Sequence, residues 1–216
     1  MRSEFPEAVT EAVGLTAAAL VLGLWAFGPL AAVVFTAGFL GGLALWLALG
    51  GRGRWADIRI PYWIALGLFV AHRIEEKQWG FFAFLSGVTG VPTPGITSIP
   101  VISLVVISVG AWLLVPALMR REHPLGYYLA WTFFASLGVT ELAHFVVFPW
   151  LIPTGPGYVP GMVAVLVLAP VAWWGCGDCG EDSLVSSVSV SGSKRDAGRG
   201  GEHATRRGRS VPPARR

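Results

Sequence analysis

Residues 60–85 read IPYWIALGLFVAHRIEEKQWGFFAFL, an apolar stretch that is interrupted by a group of ionisable side chains. The length and the apolar flanks predict a membrane-crossing helix, which needs roughly 20 apolar residues to span ~30 Å of hydrocarbon. His72, Glu75 and Glu76 lie in its second half. An ionisable group at membrane depth costs about 2.5 to 3.5 kcal/mol on insertion scales. We therefore expect these three residues to have a function.

The composition of the whole chain is that of a membrane protein. Of the 216 residues, 54% are hydrophobic and only 13% are charged, too apolar a balance for an ordinary soluble domain. Glu4, Glu7 and Glu11 stand where a secretory signal needs basic residues, so we expect the first apolar stretch to remain as a helix. The pI near 9.2 reflects a basic C-terminal end, and no nucleic acid partner is expected.

The hydropathy pattern predicts an all-α fold, a polytopic transmembrane helix bundle of about six spans. Only Gly28-Pro29 separates the first two spans, which favours a tight N-terminal hairpin over one long kinked helix. A four-helix core follows the hairpin. The predicted spans are 8–27, 30–49, 60–85, 99–119, 125–148 and 158–174.

Charges outside the spans predict the orientation of the chain. Basic residues follow the second, fourth and sixth spans, whereas the connections 86–98 and 149–157 carry no charge. By the positive-inside rule both termini lie in the cytoplasm, and the chain is a multi-pass protein of the cell membrane with the lipid bilayer as its partner. We divide it into a hairpin (1–54), a core (55–175) and a disordered basic tail (176–216), which is rich in Ser, Gly and Arg.

A second polar pair, Glu141 and His144, interrupts the fifth span. Glu75 and Glu76 lie about 15 residues along the third span and Glu141 about 17 along the fifth, so their depths agree within a few ångström at 1.5 Å per residue. Spacings of three and four residues also place His72 on the same helix face as both of its glutamates, and Glu141 on the same face as His144. The two groups are therefore predicted to share one site in the outer half of the membrane.

Two or three carboxylates, with Glu75 as a further ligand or a base, and two imidazoles at one depth match the ligands of metal sites in helical bundles, either a carboxylate-bridged pair or one zinc with an open position. Zinc and iron are the candidate metals. Without a metal, paired carboxylates suit a proton relay or general acid/base chemistry. The predicted metal ligands are His72, Glu76, Glu141 and His144.

A purely structural alternative stays open. In it, Glu75 and Glu76 lie beyond the hydrocarbon edge, and Arg73 and Lys77 extend to the same interface. The third span is then only 58–71, and 81–85 is an interfacial or re-entrant piece. Helical geometry directs both cations toward a face adjacent to that of His72. The fifth span offers no cationic neighbour to its own polar pair, which argues against this alternative.

Tyr158 precedes the last span, close to Pro160, which suits the first turn of a helix. The hydroxyl of Tyr158 and the positive end of that helix are expected to approach the glutamates, where the tyrosine orients a carboxylate or a substrate. An interfacial belt tyrosine is the equally simple alternative. The predicted catalytic residues are Glu75, Glu76 and Tyr158.

These residues resemble the signature of the HXXEE domain family, small integral membrane proteins without an established activity. The matching residues are His72, Glu75 and Glu76, then His144 in a later helix, and the Tyr-x-Pro-Gly sequence of Tyr158, Pro160 and Gly161. The resemblance covers roughly 55–174. It implies a membrane fold and a shared polar site but no substrate.

The sequence leaves three classes of function open. A metal-dependent or acid/base enzyme that acts on a lipid-like substrate makes the best use of a convergent Glu/His site. A proton-coupled transporter would use the same residues as a relay, although the third span below His72 is apolar and offers no polar path. The third class is a structural or assembly protein held by a polar cluster.

Overall fold

The computed structural model describes residues 5–50, 53–92, 94–95 and 97–197, with side chains as far as residue 180. This described part is helical and contains no strand, which confirms the all-α prediction. Its elements are α1 (Phe5–Leu49), α2 (Trp55–Gln78), α3 (Phe81–Thr89), α4 (Ile99–Leu113), α5 (Val115–Arg120), α6 (Pro124–Ala135), a π-helical turn (Ser136–Thr140), α7 (Ala143–Val146), a 3₁₀ turn (Phe148–Leu151) and α8 (Met162–Ala197).

Four helical segments among the described residues are long and apolar enough to cross a membrane. Helices of this length and hydropathy are typical of a membrane protein, in agreement with the prediction from the composition. α2 is not among the four, because its charged residues lower its hydropathy. The count of six spans and the orientation of the termini stay predictions. The four segments are Phe5–Leu49, Ile99–Arg120, Pro124–Leu151 and Met162–Gly180.

α1 contains two helical arms that fold back on each other. Gly28 breaks the helix with φ 78° and ψ −179°, a backbone conformation that favours glycine, and Pro29 follows it. The rings of Phe5 and Trp46, near the two ends of the element, have centroids 5.4 Å apart. A straight helix would separate these residues by roughly 60 Å. The predicted hairpin is therefore confirmed, and one long kinked helix is excluded.

The hairpin packs closely on α6 and the π-helical turn. A Cβ atom on Gly42 would lie 2.5 Å from the Cα atom of Thr132, so only glycine allows this approach of the two backbones. The hydroxyl groups of Thr16 and Tyr128 lie 2.8 Å apart in a buried hydrogen bond. Residues of the hairpin and of the later helices accordingly contribute to the same hydrophobic core.

The predicted third span, 60–85, is wrong as one continuous helix. α2 ends at Gln78, Gly80 adopts the left-handed conformation (φ 71°, ψ 43°), and α3 starts again at Phe81. Glycine permits this turn because it has no Cβ atom to clash. Residues 75–78, just before the break, are polar, and α3 is a separate helix, as the structural alternative expects of 81–85. α3 therefore turns back toward the polar residues of α2 and contributes a wall to the site.

The last helix begins later and ends later than predicted. α8 starts at Met162 and continues to Ala197, so the first part of the predicted disordered tail is helical. No proline interrupts 171–197, and each added residue extends an existing ladder of hydrogen bonds. The remainder of the predicted tail, 198–216, lies outside the described residues.

Candidate metal centre

The structure brings the four predicted metal ligands together. One nitrogen or carboxylate oxygen from each residue lies within 4.8 Å of the corresponding atoms of the other three. None of the four residues is more than 5% exposed. The predicted convergence of the two polar groups is confirmed, and binding of a metal by them stays a prediction. The four residues are His72 and Glu76 from α2, and Glu141 and His144 from the region that follows the π-helical turn.

The π-helical turn positions the second pair. The amide of Glu141 donates to the carbonyl oxygen of Ser136 at 3.3 Å, a bond that spans five residues instead of four. Nε1 of Trp173 in α8 donates to the carbonyl oxygen of Gly138 at 2.9 Å and ties this turn to its neighbour. One additional residue in a helical turn rotates the following side chains by about 100°. The turn thus decides which face of the helix carries the polar pair.

Both histidines use their Nδ1 atoms to bind backbone carbonyl oxygens. Nδ1 of His72 lies 3.1 Å from the oxygen of Gly161, and Nδ1 of His144 lies 3.0 Å from the oxygen of Glu141. A carbonyl oxygen only accepts hydrogen bonds, so each Nδ1 carries a proton. In a neutral imidazole the Nε2 atom is then a lone-pair donor, the usual arrangement of a metal-binding histidine.

The two Nε2 atoms face carboxylate oxygens. Nε2 of His72 lies 3.0 Å from Oε2 of Glu141 and 3.5 Å from Oε1 of Glu76. Nε2 of His144 lies 3.2 Å from the same oxygen of Glu76. Ligand atoms of a tetrahedral zinc site, with bonds of 2.0–2.2 Å, lie about 3.3–3.5 Å from one another. These three separations are close to those of a zinc site, whereas the ligand atoms as a set lie within 4.8 Å and must draw together to bind one cation.

Two atoms of the cluster lack a hydrogen bond. Oε1 of Glu76 and Nε2 of His144 are buried and find no hydrogen-bond partner in the described part of the chain. Their 3.2 Å separation is short enough for a hydrogen bond, but the Nε2 direction does not point at the oxygen. A buried polar atom without a partner costs about 1–3 kcal/mol, and more if it is charged. A cation bound by both atoms would remove this cost.

Arg73 is a member of the site that the sequence analysis missed. Its Nη1 donates to Oε2 of Glu76 at 2.5 Å, and its Nη2 donates to Oε1 of Glu141. The expectation that Arg73 lies on an adjacent face, with no cation near Glu141, is therefore wrong. Helical angles give the direction of a Cβ atom, whereas the long arginine side chain bends around its own helix. The three-residue spacing from Arg73 to Glu76 is the signal that indicates this pair.

Glu75 lies outside the group of four. Its carboxylate accepts hydrogen bonds from the Tyr158 hydroxyl at 2.7 Å and from the amides of Val163 and Ala164 at 3.2 and 2.9 Å. It thus binds the first turn of α8, where the positive end of the helix stabilises a carboxylate. The expected approach of Tyr158 to a glutamate is confirmed. The catalytic roles predicted for both residues stay predictions.

Gly161 closes the cluster on the side of α8. Its φ of 101° favours glycine. A Cβ atom at this position would lie 2.6 Å from Cε1 of His72 and 2.9 Å from Nε2 of His144. Only glycine therefore allows the chain to pass this close to both imidazoles while its carbonyl oxygen binds one of them.

Aromatic side chains enclose the other side of His144. The ring of Phe81, from α3, has its centroid 5.0 Å from that of His144, and the ring of Phe148 lies 5.5 Å away. Both phenylalanines are 1% exposed. Apolar walls strengthen the electrostatic interactions inside a site because they exclude water. They also make unpaired charge in the cluster costly.

Comparisons of the chain with models of protein families, with curated proteins and with solved structures gave no match. The resemblance to the HXXEE domain family rests on the residues of its motif. Among them, Gly161 and both histidines contact one another at the cluster, and Glu75 contacts Tyr158 beside it.

Proposed function

We propose that this protein is an integral membrane metalloenzyme of the HXXEE type that binds one divalent cation, zinc or iron, and acts on a lipid-like substrate. The cation is held by His72, Glu76, Glu141 and His144. The observation that carries the proposal is the pair of buried atoms without hydrogen bonds, Oε1 of Glu76 and Nε2 of His144, which lie 3.2 Å apart.

The donor set supports a metal over a proton relay. A relay needs a chain of hydrogen bonds along which protons move, but Nε2 of His144 has no such bond within the described structure. Both Nδ1 protons are held by backbone carbonyl oxygens. Imidazole nitrogen and carboxylate oxygen are preferred ligands of zinc and of non-haem iron.

An enzymatic role agrees with the polar groups around the cation site. A bound metal supplies Lewis-acid chemistry, the polarisation of a carbonyl or phosphoryl oxygen. Arg73 and Tyr158 are 35% and 51% exposed, so both extend from the buried cluster toward the surface. Glu75 and Tyr158 offer a carboxylate and a phenol for proton transfer to or from a substrate. A substrate that reaches a site among such apolar helices is itself lipid-like.

A structural metal centre is the second candidate. Four buried protein ligands fill the tetrahedral positions of zinc, and closed sites of this kind stabilise a fold without catalysing a reaction. The two candidates differ in what happens when the metal is removed. A structural centre unfolds or loosens without metal, whereas an enzyme stays folded and loses its activity.

Elemental mass spectrometry of the detergent-purified protein tests the shared premise. The wild type is compared with a His72→Ala, His144→Ala double variant and with a His123→Ala control, whose imidazole accepts a hydrogen bond from the amide of Leu125. We expect close to one metal ion per chain in the wild type and the control, and loss of this metal in the double variant. Absence of metal from all three, purified without chelator, would overturn the proposal.

Removal of the metal from the wild type then separates the two candidates. Circular dichroism and the thermal unfolding midpoint are recorded before and after chelation, and hydrolysis of ester and phosphoester lipids is followed in the same samples. The proposed enzyme keeps its helicity and regains turnover on addition of zinc or iron. Collapse of the helical signal without any turnover in the metal-bound protein favours the structural centre.

A further inference from the structure

The net charge of the four proposed metal ligands and Arg73 indicates what kind of molecule the metal-bound centre binds. This inference rests on the proposed metal site. Arg73 is paired with both buried carboxylates, Glu76 and Glu141. In the metal-bound cluster both imidazoles are neutral because their Nε2 lone pairs bind the metal, so the two carboxylates and the guanidinium give these protein groups a net charge of −1. A divalent cation changes this charge to +1.

A single uncompensated charge is unfavourable in a site with apolar walls. The same site without Arg73 would be neutral with its metal bound, and would accept a neutral ligand equally well. The guanidinium therefore gives the metal-bound centre a preference for a singly charged anion. It also has one donor to spare, because the single N–H of Nε is buried and finds no hydrogen-bond partner among the described residues.

The surroundings of Arg73 favour an anion that carries an apolar chain. Val70 and Ile74, its neighbours on α2, are 53% and 52% exposed. Just beyond the end of α2, Trp79 is 67% exposed and its ring packs against that of Tyr158, with centroids 6.4 Å apart. Exposed aromatic rings of this kind are typical of the headgroup level of a bilayer. A ligand that arrives at Arg73 thus meets apolar surface beside a polar boundary.

We propose that the metal-bound centre binds the singly charged oxyanion of a lipid, a carboxylate or a phosphodiester, and that the positive charge of Arg73 gives it this preference. Arg73 acts here as a residue that determines specificity. It does so through charge, in addition to its contacts with the metal-binding carboxylates.

Cobalt provides a direct readout, because the visible spectrum of cobalt in a zinc-type site changes when another ligand enters. The full-length protein is loaded with Co²⁺ in detergent and titrated with hexanoate, with dihexyl phosphate and with neutral hexanamide. The proteins are the wild type, Arg73→Gln and the charge-retaining Arg73→Lys. Cobalt content is measured for each of them by elemental mass spectrometry.

We expect at least one of the oxyanions to change the wild-type spectrum in a saturable manner, and hexanamide to have no effect. Hexanoate as the tighter ligand identifies a carboxylate, and dihexyl phosphate a phosphodiester. Arg73→Gln should weaken oxyanion binding roughly tenfold or more, while Arg73→Lys stays within about threefold of the wild type. Oxyanion affinities are compared at equal cobalt occupancy, because Arg73 also contacts both metal-binding carboxylates.

The outcomes that overturn the inference differ from those that overturn the metal site. A cobalt-bound wild type that responds to neither oxyanion, or to hexanamide equally, contradicts the anion preference and leaves the metal site intact. An equal response from Arg73→Gln contradicts the role of Arg73. If Arg73→Gln does not fold, the comparison of hexanoate with hexanamide and the behaviour of Arg73→Lys decide the question. A wild type that binds no cobalt overturns the proposed function, and this inference with it.

Discussion

Nε2 of His144 lies 3.2 Å from Oε1 of Glu76, and both atoms are buried without a hydrogen-bond partner in the described part of the protein. The two residues lie in α2 and α7, 68 positions apart in the chain, so tertiary packing brings them together. Two lone-pair-bearing atoms this close in an apolar setting repel each other, whereas a cation bound by both atoms removes the repulsion. Each prediction below tests how one part of the fold holds this arrangement in place.

Gly161→Ala is expected to lower metal affinity at least tenfold. The new Cβ atom would lie 2.6 Å from His72 and 2.9 Å from His144, so the imidazoles must move. Gly155→Ala is the matched control. Its φ of 105° imposes the same backbone strain, about 1–3 kcal/mol. Its added Cβ atom, however, has no other atom within 4 Å. Both variants should unfold at lower temperature, but only Gly161→Ala should lose metal. Equal metal content in the two would contradict the close approach of Gly161.

The two adjacent glutamates are expected to differ in their effects. Glu76→Gln removes a proposed ligand and should reduce bound metal at least tenfold. Glu75→Gln should retain the metal, since this residue instead accepts hydrogen bonds from the first turn of α8. Its loss of charge should cost about 0.3–1 kcal/mol and increase hydrogen exchange near Val163 and Ala164. Metal loss in Glu75→Gln that equals the loss in Glu76→Gln would place both carboxylates in the metal site.

Trp173→Phe is expected to destabilise the π-helical turn by about 1 kcal/mol, because the hydrogen bond to the carbonyl oxygen of Gly138 is lost. Since this turn positions Glu141, weaker metal binding should accompany the loss of stability. Trp174→Phe is the control at a similarly exposed position, 48% against 51%. Chemical denaturation in detergent and metal titration provide the two readouts. Identical results for both variants would show that the turn does not depend on this bond.

Gly42→Val is expected to destabilise the bundle by about 1–3 kcal/mol through overpacking against Thr132. The neighbouring Gly41→Val serves as the control, since a Cβ atom there meets nothing within 4 Å. The added side chain and its helix propensity are the same in both variants, so the difference isolates contact between the hairpin and α6. Thermal unfolding midpoints in mild detergent measure it. A Gly41→Val variant as unstable as Gly42→Val would contradict this packing.

Local periodicity explains why much of the cluster is readable from the sequence. The cluster has two halves, His72 with Glu76 and Glu141 with His144. The residues of each half are three or four positions apart, so a single helical turn brings them together. Equal depth along two spans then predicts that the halves meet. The tight hairpin is readable for a similar reason, because Gly28 and Pro29 restrict the backbone locally.

Other features escape such reasoning because they depend on neighbours distant in the chain. Glu75 and Glu76 are adjacent in the sequence, yet Glu75 contacts the first turn of α8 and Glu76 lies in the cluster. The break at Gly80 follows the polar residues 75–78, and packing decides whether a helix stops or continues there. The long side chain of Arg73 finds its partners only once both carboxylates are in place.

The sequence by itself determined the all-α membrane character, the hairpin and the two polar pairs, since hydropathy, backbone restriction and helical periodicity act over a few residues. Tertiary structure alone decided that Arg73 joins two carboxylates, that Glu75 leaves the group, and that Gly161 passes beside both imidazoles. Those contacts depend on where separate helices stop and how closely their backbones approach. Packing of the whole bundle, rather than any local preference, fixes these distances.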